Sequence, residues 1–345
     1  PYSLDYAIAQ DGFIREENTY ISRIRELEDE LANHKQYREE IEEIKRSKAW
    51  RLIEGYRKIY HRLFGWIPLL REKLIGWMHA QENRTVKDSP RNSREYEYTF
   101  TEEDRTRVSS ELLSLEKKPL ISLVMPVYNV DPAWLETAIE SVKTQLYENW
   151  ELCIVDDASS RDETIAYLKN IRHPQIRIHY LDNNRNISGA TNEAIRFASG
   201  EYLAFMDNDD ELTPDALFEA AKAINDSGAE LIYSDEDFID LDGEYIDPHF
   251  KPDFSPDLLL SHNYITHFVV VRKKLVQEVG LLDSRYDGAQ DYELLLRLTE
   301  KTDQIYHIQK VLYHWRKSET STSFTADAKP GALMNAHMAL QDTLD

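Results

Sequence analysis

The chain has 345 residues, which is enough for one large domain and a smaller appendage. Its formal net charge of -22 at pH 7 disfavours nonspecific binding to nucleic acid, whose phosphates it would repel. The single cysteine, Cys153, excludes an internal disulfide and favours a reducing compartment. The sequence shows neither a signal peptide nor a run of 18 apolar residues, and it begins at Pro1 without methionine. We therefore expect a fragment of a longer protein.

The first hundred residues differ in character from the rest. Residues 16–48 are highly charged with apolar positions at helical spacing, which predicts a short coiled coil and oligomerisation through it, although His34 and Arg38 interrupt the heptad. Residues 50–78, from Trp50 to Met78, are aromatic and basic, as in a helix lying on an anionic membrane surface. The alternative is a helical hairpin, broken near Pro68, that packs its aromatic side chains on protein. We predict a helical arm over 1–80, a linker over 81–115 and a globular domain over 116–345.

Apolar runs alternate with amphipathic segments in the globular part. The predicted strands are 120–128, 151–155, 175–181 and 201–206, and the predicted helices between them are 133–145, 162–170 and 188–198. Such alternation predicts an α/β fold with a doubly wound, mostly parallel sheet flanked by helices. In such sheets ligands bind beyond the carboxyl ends of the strands.

Polar clusters follow three of the predicted strands. They are Tyr128 with Asn129, Asp156 with Asp157, and the acidic segment 207–209. Carboxylates two residues apart on extended chain share a face, so Asp207 and Asp209 can approach one divalent cation. The alternative for this segment is an acidic turn before the next helix, with Thr213 and Pro214 as its first positions.

Together these motifs resemble the inverting family 2 glycosyltransferases with the GT-A fold. The resemblance covers about residues 119–337 and depends on residues 125–129, 155–159, Asn192, 199–202, 206–210, 288–291 and 312–316, in that order. Residues 250–257, with Asn263 and Tyr264, resemble enzymes that build bacterial surface polysaccharides such as O-antigen or capsule. The resemblance implies a UDP- or dTDP-sugar donor, a glycan acceptor and bound Mn²⁺ or Mg²⁺.

The donor-binding residues are expected at the strand ends. Asp156 or Asp157 can accept a hydrogen bond from a pyrimidine N–H, although this pair could instead cap the helix at Asp162. Arg185 precedes a helix whose N-terminus can offset diphosphate charge, or it is a solvated loop arginine. The predicted donor-binding set is Pro126, Tyr128, Asn129, Asp156, Asp157, Arg185, Asp207 and Asn208.

Three residues are predicted to hold the metal. Asp209 is the first ligand, Asp207 contacts the ribose or the metal through water, and His314 is the distant third contact at the end of the predicted strand 304–312. An imidazole ligand favours Mn²⁺ over Mg²⁺. The alternative for His314 is a packed histidine beside Trp315.

Asp291 is the predicted catalytic base. It opens the apolar helix 292–298, where the positive helix end favours the ionised carboxylate, and the family resemblance falls on this residue. It would take the acceptor proton during a single displacement that inverts the anomeric configuration, without a second carboxylate nucleophile. A simple helix cap is the alternative, and both roles can hold at once. Gln290, Trp315 and Arg316 are assigned to the acceptor side, and residues 318–329 are a lid over the donor or a linker.

The sequence thus predicts a metal-dependent glycosyltransferase that extends a bacterial glycan, peripheral at the inner face of the cytoplasmic membrane, with no nucleic-acid partner. One alternative is a sugar nucleotidyltransferase, which would carry a glycine-rich basic loop after the first strand, whereas residues 126–131 contain no glycine. The other is a non-catalytic scaffold whose helical arm assembles partner enzymes.

Overall fold

The structure is a computed structural model, and it describes residues 98–317 and 330–344. The predicted coiled coil, the membrane-binding segment 50–78 and the lid 318–329 lie outside these ranges. Within the ranges described, none of the helices combines the length and the apolar character that crossing a bilayer requires.

The strands and helices alternate through most of the domain. The strands are β1 Ile121–Val127, β2 Trp150–Asp156, β3 Ile176–Tyr180, β4 Tyr202–Phe205, β5 Glu211–Leu212, β6 Leu231–Ile239, β7 Tyr245–His249, β8 Val270–Arg272 and β9 Ile305–Arg316. The helices are α1 Glu102–Leu112, α2 Pro132–Lys143, α3 Asp162–Asn170, α4 Asn186–Phe197, α5 Ala216–Ser227, α6 Pro256–Leu259, α7 Lys273–Val279, α8 Gln290–Lys301 and α9 Pro330–Leu344, with a 3₁₀ turn at Ser284–Tyr286. The seven elements predicted between residues 120 and 206 are all present, with bounds that differ by one or two residues at most.

These strands form one mostly parallel sheet in the part of the chain that is described. Its order is β3, β2, β1, β4, β8, β6, β9, β5, and β7 pairs with β6. The first four strands are parallel, β8 runs antiparallel between β4 and β6, and β9 is parallel to β6. The predicted α/β fold with a flanked sheet is confirmed.

The core lies on both faces of the sheet. Leu123 and Met125 of β1 pack into one apolar cluster, and Val124 packs into the other. Cys153 of β2 belongs to the second cluster, while its neighbour Ile154 belongs to the first. Because successive side chains of a strand point to opposite faces, a strand covered on both sides is typically a nearly continuous apolar run. This explains why β1 and β2 can be recognised in the sequence.

Helix α1 lies inside the segment 81–115 that the sequence analysis predicts to be a linker. The Thr101 hydroxyl accepts a hydrogen bond from the Asp104 amide, and the Asp104 carboxylate accepts one from the Thr101 amide. This reciprocal arrangement stabilises the first turn of the helix. Val108 is fully buried in the first core cluster. The C-terminal part of the segment is therefore packed on the globular domain.

Strand β6 is absent from the predicted elements, because its centre is acidic. Asp235, Glu236 and Asp237 are all buried, with exposed fractions of 3%, 1% and 0%. Each pairs with a nitrogen from a distant part of the chain: His307 at 2.8 Å, Lys251 at 2.9 Å and His314 at 2.5 Å respectively. Three adjacent acids indicate a loop by local pattern, and only these tertiary partners make their burial tolerable.

Candidate active site

The acidic loop, residues 207–210, follows β4 and is hydrogen-bonded to residues of β9. Asp210 is fully buried; its carboxylate accepts hydrogen bonds from the Tyr313 hydroxyl at 2.6 Å and from the Arg316 amide at 2.8 Å. The Tyr313 oxygen in turn accepts from the Asp207 amide at 3.1 Å. Burial raises the pKa of Asp210 well above its usual value, and the charges of Asp209 and Asp207 add to the effect. A positive ion at this loop would relieve that repulsion.

Asp207, Asp210 and His267 form a group that could hold a metal ion. One carboxylate oxygen of each acid and one ring nitrogen of the histidine all lie within 4.8 Å of one another. The Nε2 atom of His267 is buried and has no hydrogen-bond partner in the structure described. Burial lowers the pKa of His267 to about 4, so the neutral ring keeps a lone pair for a cation. Two carboxylates and an imidazole suit Mn²⁺, and also Mg²⁺ if water completes its shell.

The structure does not bring Asp209 and His314 into this group. His314 is 2% exposed, its Nδ1 lies 2.5 Å from the Asp237 carboxylate, and its ring stacks on Tyr245 at 3.9 Å between centroids. Alternation along β9 directs it to the sheet face opposite to that of Tyr313. The backbone carbonyl of Asp209 accepts from Arg316 Nε at 2.7 Å. The role of Asp209 and His314 as metal ligands stays a prediction.

The predicted base-binding acids lie at the end of β2. Asp156 and Asp157 are 4% and 3% exposed. Asp157 accepts from the Arg185 amide at 2.6 Å, and burial raises the pKa of its carboxyl. Asp156 accepts from the Ser159 amide at 3.3 Å, which fixes the turn after the strand. Both acids are thus oriented by backbone amides.

Asn129 has a structural task that the sequence analysis does not identify. Its φ of 51° lies in the left-handed region, which asparagine tolerates better than most residues. Its side-chain oxygen accepts from the amides of Ser160 and Arg161 at 2.7 and 2.8 Å. Asn129 therefore ties the end of β1 to the two residues that precede α3, and the N-cap of that helix is Arg161 rather than Asp156 or Asp157.

The remaining predicted donor residues surround the same strand ends. The Asn208 amide donates to the Pro126 carbonyl at 2.7 Å, which ties the acidic loop to β1. Tyr128 is 52% exposed at the end of β1. Arg185 immediately precedes α4, and its guanidinium lies 3.5 Å from the Glu193 carboxylate.

Asp291 lies in the first turn of α8. The residue at the N-cap is Ala289, so Asp291 does not occupy the cap position. Its Oδ2 atom accepts a hydrogen bond from the Asn263 side-chain amide at 2.9 Å. Gln290 accepts from the Gly288 amide at 2.6 Å, which shapes the turn before the helix. Asn263 is a candidate that the sequence analysis does not assign to the site; the only signal for it is the resemblance around residues 250–264.

Of the two residues predicted on the acceptor side, Trp315 lies against His267 and Arg316 lies against the acidic loop. Trp315 stacks on Phe238 at 5.4 Å and meets His267 edge-on at 5.0 Å. Arg316 pairs with Glu211 and also donates to the Asp209 carbonyl. In the structure Arg316 therefore supports the loop that carries the acids.

Comparison with known proteins identifies the class to which this fold and site belong. Residues 122–280 match the family model described as Glycosyl transferase family 2. The putative colanic acid biosynthesis glycosyl transferase WcaA of Escherichia coli K12 is 33% identical over 211 residues, which cover 56% of this chain and 74% of that protein. The chain therefore belongs to glycosyltransferase family 2.

Longer relatives include two bacterial proteins. The O-antigen biosynthesis protein RfbC of Myxococcus xanthus is 33% identical over 297 residues, 82% of this chain and 23% of that protein. The uncharacterized protein y4gI of Sinorhizobium fredii is 44% identical over 243 residues, 69% of this chain and 27% of that protein. The chain thus spans about a quarter of the length of each.

A solved structure shows the same GT-A fold. The S. aureus TarS 1-349 structure in complex with UDP-GlcNAc has a TM-score of 0.51 and 18% identity, and the match covers 59% of this chain and 61% of that one.

Proposed function

We propose that the chain carries out metal-dependent, inverting transfer of a sugar from a UDP- or dTDP-sugar to a hydroxyl of a bacterial glycan or lipid-linked oligosaccharide. The observation that carries this proposal is the group formed by Asp207, Asp210 and His267 beyond the end of β4. Membership of the glycosyltransferase family and relatives named for O-antigen and colanic acid biosynthesis support the choice of a glycan product.

The donor is proposed to lie across the ends of β1, β2 and β4. Asp156 or Asp157 accepts from the pyrimidine N–H, and Tyr128 with Pro126 forms the wall of the base pocket. The diphosphate extends toward the acidic loop and the start of α4, where helix amides and Arg185 favour negative charge. A TarS structure solved with UDP-GlcNAc makes UDP-sugars the first donors to test.

The metal is proposed to be bound through Asp207. Asp210 and His267 complete the ligand set that the structure brings together, while Asp209 and His314 complete the set that the sequence predicts. Bound Mn²⁺ or Mg²⁺ would supply Lewis-acid stabilisation of the departing diphosphate. Tyr313 and Arg316 hold the loop so that its acids remain close together despite their repulsion.

Asp291 is proposed to act as general base. It removes the proton from the acceptor hydroxyl while that oxygen attacks the anomeric carbon and the bond to the nucleotide diphosphate breaks. Asn263 orients the carboxylate through its hydrogen bond to Oδ2. Gln290, Trp315 and Arg316 lie on the acceptor side of this arrangement. One displacement inverts the anomeric configuration.

Calorimetric titration of UDP, dTDP and GDP, with Mn²⁺ and with EDTA, tests this function. One pyrimidine diphosphate should bind in Mn²⁺ and lose at least about 10-fold in affinity in EDTA, since metal and diphosphate bind together. Asp207→Asn and Asp209→Ala should weaken binding, whereas Asp242→Ala, in the exposed turn between β6 and β7, should not. Folded protein that binds none of the three diphosphates contradicts the proposed function.

A further inference from the structure

A buried ion pair joins Lys251, in the stretch 250–257 to which the proposed function assigns no role, to Glu236 of β6. The side chain of Lys251 is 0% exposed and that of its partner Glu236 is 1% exposed, with 2.9 Å between the charged atoms. Lys251 Nζ also donates to the carbonyls of Ile265, at 2.7 Å, and of His267. All three ammonium hydrogens therefore have an acceptor.

Glu236 also binds residues 265–267, the segment whose carbonyls Lys251 binds. Its Oε2 accepts from the Thr266 hydroxyl at 2.9 Å and from the His267 amide at 3.1 Å. Burial opposes the charge of Glu236, yet the ammonium of Lys251 lowers the pKa of that carboxyl below its usual value. The pair thus satisfies carbonyl, amide and hydroxyl groups of residues 265–267 that would otherwise lack these partners.

The loop held in this way reaches both halves of the candidate site. At one end, Asn263 donates to the carboxylate of Asp291 at 2.9 Å. At the other end, the His267 ring stacks on Tyr313 at 4.6 Å and belongs to the group with Asp207 and Asp210. Residues 263–267 therefore contact the proposed base at one end and the group with Asp207 and Asp210 at the other.

A role in stability alone is a weak explanation for such a pair. Removing two charges from water costs free energy that their attraction often fails to recover, and apolar replacements of buried pairs are frequently neutral or stabilising. An apolar pair at these positions could not bind the carbonyls and the amide of residues 265–267, so it would not fix the position of that loop.

We propose that Glu236 and Lys251 are positioning residues of the transferase: they fix the loop 263–267 so that Asn263 orients Asp291 and His267 stays beside Asp207 and Asp210. This proposal builds on the proposed function, since it assigns the catalytic base and the metal group as that function does. Neither Glu236 nor Lys251 is proposed to touch the substrate.

The test compares a double variant, Glu236→Leu with Lys251→Met, with Lys310→Met. Lys310 is also paired with two acids, Asp215 at 2.6 Å and Glu219 at 2.7 Å, and both belong to the start of α5 rather than to the loop. Hydrogen exchange of the metal-free protein is followed by mass spectrometry, and the affinity for UDP with Mn²⁺ is measured by calorimetry.

The double variant should exchange about 10-fold faster at residues 262–268 and in the first turn of α8, with the rest of the sheet unchanged. Its affinity for UDP with Mn²⁺ should fall by about 10- to 100-fold, the range seen for residues that orient metal ligands. Lys310→Met should change neither quantity in these segments. If the double variant does not fold, Thr266→Val can replace it, because it removes one hydroxyl that donates to Glu236. It should speed exchange in the same segments and lower the affinity for UDP with Mn²⁺, both by smaller factors.

Unchanged exchange and affinity in the double variant would overturn the proposal, and so would faster exchange spread evenly over the sheet, which indicates a purely structural role. Wild-type protein that binds no UDP with Mn²⁺ contradicts the proposed function, and the exchange data then still decide whether the pair positions the loop.

Discussion

Asp291→Asn is expected to lower turnover of the donor by about 100-fold or more and to leave the affinity for UDP with Mn²⁺ within about 2-fold of wild type. Asparagine has nearly the same shape as aspartate, and its carbonyl oxygen can still accept the hydrogen bond from Asn263. It cannot take a proton from the attacking oxygen. The variant therefore separates loss of the base from loss of the site.

Release of UDP from the nucleotide sugar measures this effect, with water in place of the acceptor hydroxyl so that no acceptor need be known. Glu293→Gln is the matched control. Glu293 lies two residues after Asp291 in the same first turn of α8, and it pairs with Arg297. It should keep turnover within about 3-fold, as expected for a residue outside the chemistry. Turnover of Asp291→Asn equal to that of wild type would show that another group is the base.

The second large effect concerns the nitrogen ligand of the metal. His267→Asn is expected to weaken Mn²⁺ binding by at least about 10-fold, since even residues that only orient ligands contribute that much. His314→Leu is expected to leave Mn²⁺ binding unchanged but to reduce the free energy of unfolding by about 3 kcal/mol, because it removes one partner of the buried Asp237 carboxylate.

Electron paramagnetic resonance of free Mn²⁺ gives the affinities, and urea denaturation gives the stabilities. The two histidines serve as controls for each other. If His314→Leu loses Mn²⁺ while His267→Asn keeps it, the ligand set predicted from sequence holds and the group found in the structure is not the metal site.

The parts of the fold that the sequence predicts are those determined by local pattern. Strand β1 and strand β2 are apolar on both faces, and Asp162–Asn170 is helical with the predicted bounds. Strand β6 escapes prediction because Asp235 to Asp237 look like a loop until their partners, 15 to 77 residues away, are known.

The candidate site shows the same division. The acidic segment and Asp291 stand out because several motifs of the resembled family occur in order around them, whereas a lone carboxylate at a strand or helix end is commonly a turn or cap residue. His267 belongs to no motif, and Asn263 belongs only to the resemblance around residues 250–264, which assigns it no role. Both lie in a loop held by Lys251 and Glu236, and local pattern does not show where that loop is placed. Asp210 is acidic like its neighbours, and only its bonds to Tyr313 and Arg316 show that it also supports the loop.

The most direct test of a metal-dependent transferase is a crystal grown with UDP and Mn²⁺ and measured at the manganese absorption edge. We predict an anomalous peak bound to the Asp207 carboxylate and in contact with the diphosphate, and a uracil ring beside Asp156 and Asp157. The remaining ligands at that peak decide between His267 and His314. A nucleotide bound away from the ends of β1, β2 and β4, or a nucleotide with no manganese at Asp207, would contradict the proposed function.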